Sequence, residues 1–162
     1  MERSPYLFFV KKGHNTMLLL GTINSVDQDL PVDGLINFGT VYRRYDKKRD
    51  CGVRAFEVNG TSISLQHSGI YHVTAVITFT APAVGDVTFQ LAENGFALPN
   101  ATVTETVATA DTQSITTTLD FYVLVDSSFV LNSVNTLKNI SIINTGVAST
   151  VTNVVVNIDK VV

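Results

Sequence analysis

Gly69-Ile70-Tyr71-His72-Val73-Thr74-Ala75-Val76-Ile77-Thr78-Phe79 alternates along most of its length. The odd positions from Tyr71 to Phe79 are apolar, while His72, Thr74 and Thr78 fall on the opposite side. A period of two is that of a β-strand with one face turned to a core. The same reading holds for Val87, Phe89 and Leu91, which alternate with Asp86, Thr88 and Gln90. It holds again where Leu119, Phe121, Val123 and Val125 form one row against Asp120, Tyr122, Leu124 and Asp126. That second row is only half polar. A Tyr and a Leu on the outward row of a strand are expected where the row meets another sheet or another subunit.

Further strands are expected over residues 35–42, 56–58, 62–65, 102–107, 114–118, 129–131, 140–143 and 151–161, each rich in Val, Ile, Thr, Phe or Tyr and bounded by turn residues. Asn59-Gly60 and Asn94-Gly95 each stand between apolar runs, and Asn-Gly supplies the positive φ of tight hairpin turns. No sustained helical face, heptad, Gly-x-y triplet or 20–50-residue repeat accompanies them. The expected fold class is all-β: a jelly-roll β-sandwich of about ten antiparallel strands filling residues 35–162.

The chain has 162 residues, enough for one good core, and is 45% hydrophobic but only 15% charged. So little charge covers a monomer poorly, and part of the apolar surface is expected to lie against another copy. No apolar run reaches the 18 or more residues of a membrane helix, so no membrane partner is expected. Glu2 and the short apolar run after it do not make a secretory signal, which points to assembly in the cytoplasm. The net charge of −3 divides into +3 over residues 1–54 and −6 over 55–162. The basic cluster from Arg43 to Arg49 is interrupted by Asp46 and followed by Asp50, and the rest of the chain would repel phosphate. No nucleic-acid partner is expected.

The first 34 residues differ from the rest. Tyr6, Leu7, Phe8, Phe9 and Val10, then Leu18, Leu19 and Leu20, are too apolar to stand free in water, yet Lys11, Lys12 and His14 split them. They read either as an anchoring arm in need of a binding surface or as the first strands of the same domain.

Chemistry has few candidates. His14, His67 and His72 share no metal-ligand spacing, and the Asp27, Asp29, Asp33 group lacks the glycine and glutamate of an EF-hand loop. Neither a Gly-x-Ser-x-Gly elbow nor a phosphate-binding glycine loop occurs. Cys51 is the only cysteine, so no intrachain disulfide forms. Basic neighbours favour its thiolate, but no positioned base accompanies it. No catalytic residue, cofactor or metal site is expected. The sequons at Asn59, Asn100 and Asn139 read as chance in a chain rich in Asn and Thr.

Ser62-Ile63-Ser64-Leu65 followed by Ser68-Gly69-Ile70-Tyr71-His72-Val73, then Val87-Thr88-Phe89-Gln90-Leu91-Ala92-Glu93-Asn94-Gly95, and finally Val151-Thr152-Asn153-Val154-Val155-Val156-Asn157-Ile158, carry a resemblance. In order and spacing they resemble the tumour necrosis factor and complement globular-head superfamily over residues 35–162. The likeness is strongest to its bacterial and bacteriophage branch, which includes the heads of spore-surface collagen-like glycoproteins. The resemblance implies a ten-stranded jelly roll assembled as a homotrimer, with function on the outer surface and tip. A Gly-x-y stalk like that of the spore and complement proteins is absent, which lowers the weight of spore-coat and complement roles.

The expectation is a non-enzymatic virion structural protein: a trimeric capsid decoration or short head fibre of a bacteriophage, on the virion surface. Its partners would be itself and the major capsid or another virion protein, reached through the N-terminal arm. The alternative is a receptor- or carbohydrate-binding head of a tail fibre or spore-surface adhesin, with a surface glycan as partner. Tyr122 and Leu124, with His72 and Val76, are the residues expected at the trimer axis.

Overall fold

The computed structural model describes residues 17–46, 54–126 and 137–161. Eleven strands make up its regular structure: β1 (Leu19–Asn24), β2 (Gln28–Leu30), β3 (Thr40–Tyr45), β4 (Phe56–Asn59), β5 (Ser62–Leu65), β6 (Gly69–Thr80), β7 (Gly85–Glu93), β8 (Phe96–Val107), β9 (Ile115–Val125), β10 (Lys138–Asn144) and β11 (Ser149–Lys160). Every pairing is antiparallel. One sheet of six strands runs β3-β1-β11-β6-β9, with β2 also on β11; the five-stranded sheet runs β4-β5-β10-β7-β8. From β5 to β11 the chain crosses between sheets at every connection except the β7–β8 hairpin, which is the winding of a jelly roll.

Alternation in β6 does what the pattern requires. Tyr71, Val73, Ala75, Ile77 and Phe79 are buried, and facing residues of the other sheet complete the core. Phe79 of β6 meets Phe89 of β7 edge to face at 5.2 Å, and Phe56 of β4 meets Tyr71 at 5.8 Å. The buried Tyr71 hydroxyl donates to the His67 carbonyl at 2.6 Å.

Several boundaries move. Residues 114–118 and 119–126 form one continuous strand, β9, whose inner row is unbroken. β8 begins six residues before the expected 102 and includes Pro99, which an edge strand tolerates because its missing N–H breaks no ladder on the open side. Over 35–42 only β3 is a strand, from Thr40 onward. Ahead of it, Gln28 acts as the partner that a neighbouring strand would have been: its Oε1 accepts from the Asn37 N–H at 2.7 Å and its Nε2 donates to the Asn37 carbonyl at 3.0 Å. Ile36 and Phe38 still enter the core from this loop.

The Asn94-Gly95 hairpin has positive φ at both residues, as its sequence predicts. The other turn is displaced by one residue: Asn59 pairs with Ser62, so Gly60 and Thr61 form the loop and Gly60 alone takes positive φ.

The largest correction concerns Leu18, Leu19 and Leu20. Leu19 and Leu20 open β1, which lies between β3 and β11, and Leu18 and Leu20 are buried in the core. An arm reaching another particle cannot include side chains that the head itself buries. Tyr6, Leu7, Phe8, Phe9 and Val10 lie outside the described residues, as do the expected strand 129–131, His14, Cys51 and the basic run from Lys47.

Candidate functional site

Burying one row of β6 and β9 sends the other row to the outer face of the six-stranded sheet. Strand registers set these outward residues side by side. Tyr45 stands opposite Leu19, Leu19 opposite Asp159, Asp159 opposite His72, and His72 opposite Tyr122. Ile70 and Leu124 pair next to this row, and Ile23, Val155, Val76 and Thr118 form another row further along. Tyr122 is 65% exposed, Leu124 52% and Ile70 37%, with Val76 half-buried among its aliphatic neighbours. All four residues expected at the trimer axis, Tyr122, Leu124, His72 and Val76, therefore share one face.

A polar cluster lies within this apolar surface. His72 stacks on Tyr122 with ring centroids 4.9 Å apart. Its Nε2 lies 2.5 Å from Asp120 Oδ1 and its Nδ1 3.4 Å from Asp159 Oδ1. Neutral imidazole carries one N–H, so the ring can donate toward both carboxylates only as imidazolium. With one cation at most against two anions, the cluster is net negative whenever both carboxylates are ionised.

A third device holds the far side of the face. Tyr42 crosses over Gly21, where an added Cβ would stand 2.7 Å from the ring Cζ, and its hydroxyl donates to Asn157 Oδ1 at 2.6 Å. Glycine at this position is what lets the ring approach the sheet.

Sequence reasoning found Tyr122 and Leu124 through their half-polar row. It had Asp120 in that same row without connecting it to His72. Asp159, Leu19, Tyr42 and Tyr45 join only through long-range registers, for which no local signal exists. Ile70 was legible, since it continues the even row of His72 and Val76 past the end of the core-facing residues.

Among the described residues no three His, Cys, Asp or Glu side chains converge to hold a metal ion. Asp29 instead accepts from the Thr150 hydroxyl at 2.9 Å, and Asp33 occupies a left-handed turn.

No family model matches the chain, and no curated protein matches it. Solved structures do. Murine APRIL at pH 5.0 superposes with a TM-score of 0.62 at 9% identity, covering 90% of this chain and 99% of APRIL. The Eiger TNF of S. frugiperda gives 0.55 at 8% identity, covering 90% and 92%. The globular domain of zebrafish complement 1qA gives 0.54 at 9% identity, covering 90% and 98%. These likenesses establish the fold as the jelly roll of tumour necrosis factor and complement-type heads.

Proposed function

We propose that this chain is a non-enzymatic structural head that assembles as a homotrimer through the outer face of its six-stranded sheet and decorates a virion, as a capsid decoration or short head fibre. The observation that carries the reading is the contiguous exposure of Tyr122, Leu124 and Ile70 around the His72 cluster. Surfaces of this kind are stabilised by being covered. The low charge of the chain and the head-type fold support the same reading.

Light scattering on the purified full chain tests the assembly: the expected mass is about three times the 17.6 kDa of one chain. Leu124→Asp alters a side chain already half in solvent, so folding stability should change by no more than about 0.5 kcal/mol, while the mass falls to that of one chain. A wild-type protein of single-chain mass, or an unaltered trimer from Leu124→Asp, overturns the assembly. Virion placement rests on the apolar segment from Tyr6 to Val10. Removing residues 1–16 should leave a trimer that no longer attaches to particles, and full attachment would refute the anchor.

A further inference from the structure

A second region stands apart from this face. On the outer side of the five-stranded sheet lies a groove of about 480 Å³. Small-molecule sites span roughly 300–1,000 Å³. Its polar lining comes from Thr61 and Ser62 of the β4–β5 hairpin, Asn94 of the β7–β8 turn, and Asn139 and Ser141 of β10. Leu35 and Leu137 supply apolar walls. Because Ile140 faces Ile63 in the core, Ser141 and Ser62 continue that register on the outward side as the floor.

Two features make the lining a built array. The first is that its asparagines are fixed: the Asn94 N–H donates to the Asn139 carbonyl at 2.8 Å, the Asn139 N–H to Asn94 Oδ1 at 2.9 Å, and the Ser64 hydroxyl to Asn139 Oδ1 at 2.5 Å. Both side-chain oxygens are thereby engaged, leaving both amide nitrogens as donors with no protein acceptor among the described residues. The hydroxyls of Thr61, Ser62 and Ser141 likewise have no protein partner there. The second is the absence of charge. None of the lining side chains ionises, and the nearest charged neighbours in sequence, Lys138 and Glu93, are bound to each other at 2.7 Å. Phe96, next to the lining Gly95, is 77% exposed and adds an aromatic surface near the rim.

Amide donors beside hydroxyls that both donate and accept, set between apolar walls, match a ligand with many hydroxyls and an apolar C–H face. An anion would find no cation here, and a cation no carboxylate. We propose that this groove is a binding site for a neutral carbohydrate. It lies on the sheet opposite the proposed trimer face, so it stays open in the assembly and does not depend on the assembly reading.

The test begins with the full-length protein on a printed array of neutral and sialylated oligosaccharides, followed by calorimetric titration of the best neutral binder. Saturable binding to at least one neutral glycan is expected. Ser141→Tyr, which fills the floor, should weaken it by roughly tenfold or more. Asn94→Asp is the second variant. It keeps the acceptor for the Asn139 N–H and tolerates the left-handed turn, but it replaces the amide donor with a charge, and a similar loss is expected with an unchanged melting temperature. A blank array, a preference for sialylated over neutral glycans, or undiminished affinity in Asn94→Asp overturns the proposal, whatever Ser141→Tyr does to folding.

Discussion

The outer faces of the two sheets are built from the same backbone geometry and share cross-strand threonine pairs, Thr78 with Thr116 on one and Thr88 with Thr104 on the other, but differ in how much apolar side chain they expose. On the six-stranded sheet the outward rows hold Tyr122, Leu124, Ile70, Tyr45 and Tyr42 around one histidine and two carboxylates. On the five-stranded sheet they hold hydroxyls and amides that pair across strands: Thr88 with Thr104 at 3.0 Å, Thr106 to Asp86 at 2.7 Å, Ser64 to Asn139 at 2.5 Å. Cross-strand polar pairs satisfy themselves while remaining in water. Exposed aromatic and aliphatic rows do not, and their free energy falls when a second surface displaces the water. Hydroxyl and amide rows thus lose little by staying in water, whereas aromatic and aliphatic rows gain by being covered. Position in the fold cannot explain the difference, since both faces cover one shared core.

That shared core yields the largest expected effect. Phe79→Ala removes the ring that meets Phe89 between the sheets and leaves a cavity, at a cost of about 3–5 kcal/mol. Because both sheets lean on this contact, chemical denaturation followed by far-UV circular dichroism and by tyrosine fluorescence should shift together. Separate transitions would mean that the two faces sit on independently folding layers.

Gly21→Val comes next, at about 1 kcal/mol, since its side chain would displace the half-exposed Tyr42 ring and break its hydrogen bond to Asn157. The double variant Gly21→Val with Tyr42→Ala should lose little more than Gly21→Val alone in a denaturant titration. Additive losses would show that Gly21 serves the backbone and not the ring.

Much of this contrast was legible in the chain. The row from Tyr71 to Phe79 announced itself because β6 is an inner strand whose inward side chains all pack against the other sheet, so the alternation runs unbroken. Tyr122 and Leu124 stood out because period two left them on a row that should have been polar. What failed to show was long-range. Leu18, Leu19 and Leu20 read either as an arm or as first strands, since Lys11, Lys12 and His14 isolate them from any local pattern. Their actual setting comes from β11, which pairs Leu19 with Asp159 and Leu20 with Ile158 from the far end of the sequence. His72 and its carboxylates divide along the same line, since Asp120 is two positions from Tyr122 in its own strand, whereas Asp159 arrives by the β6–β11 register. The groove of the five-stranded sheet escaped notice because its residues come from four separate stretches of the chain, none unusual alone.

His72→Gln has a smaller effect on folding and a larger one on company. Asp120 and Asp159 are substantially exposed in a single chain, so losing the imidazole contact between them should cost below about 1 kcal/mol of folding stability. Covered by a neighbouring copy, the same two carboxylates would be left without the ring donor between them, and leaving a buried charged group short of a hydrogen-bond partner costs about 1–3 kcal/mol or more. Sedimentation over a dilution series should therefore show dissociation at concentrations where the wild type stays assembled, with thermal melting of the single chain little changed. Equal effects on both would place this cluster in solvent in every state.

Thr104→Lys is expected to do least, and that is its use. Thr104 is exposed at the outward side of β8, and its hydroxyl contact with Thr88 is matched by water when lost. A lysine there is a surface substitution on a β-strand, with an expected change within about 0.5 kcal/mol. It places a full charge on an outward strand row, as Leu124→Asp does on the other sheet. If apolar coverage is what joins the copies, the mass measured by light scattering should drop for Leu124→Asp and stay put for Thr104→Lys. A reversal of that pattern would assign the seam to the hydroxyl-rich sheet, and the aromatic rows around His72 would then need a partner other than a second copy of this chain.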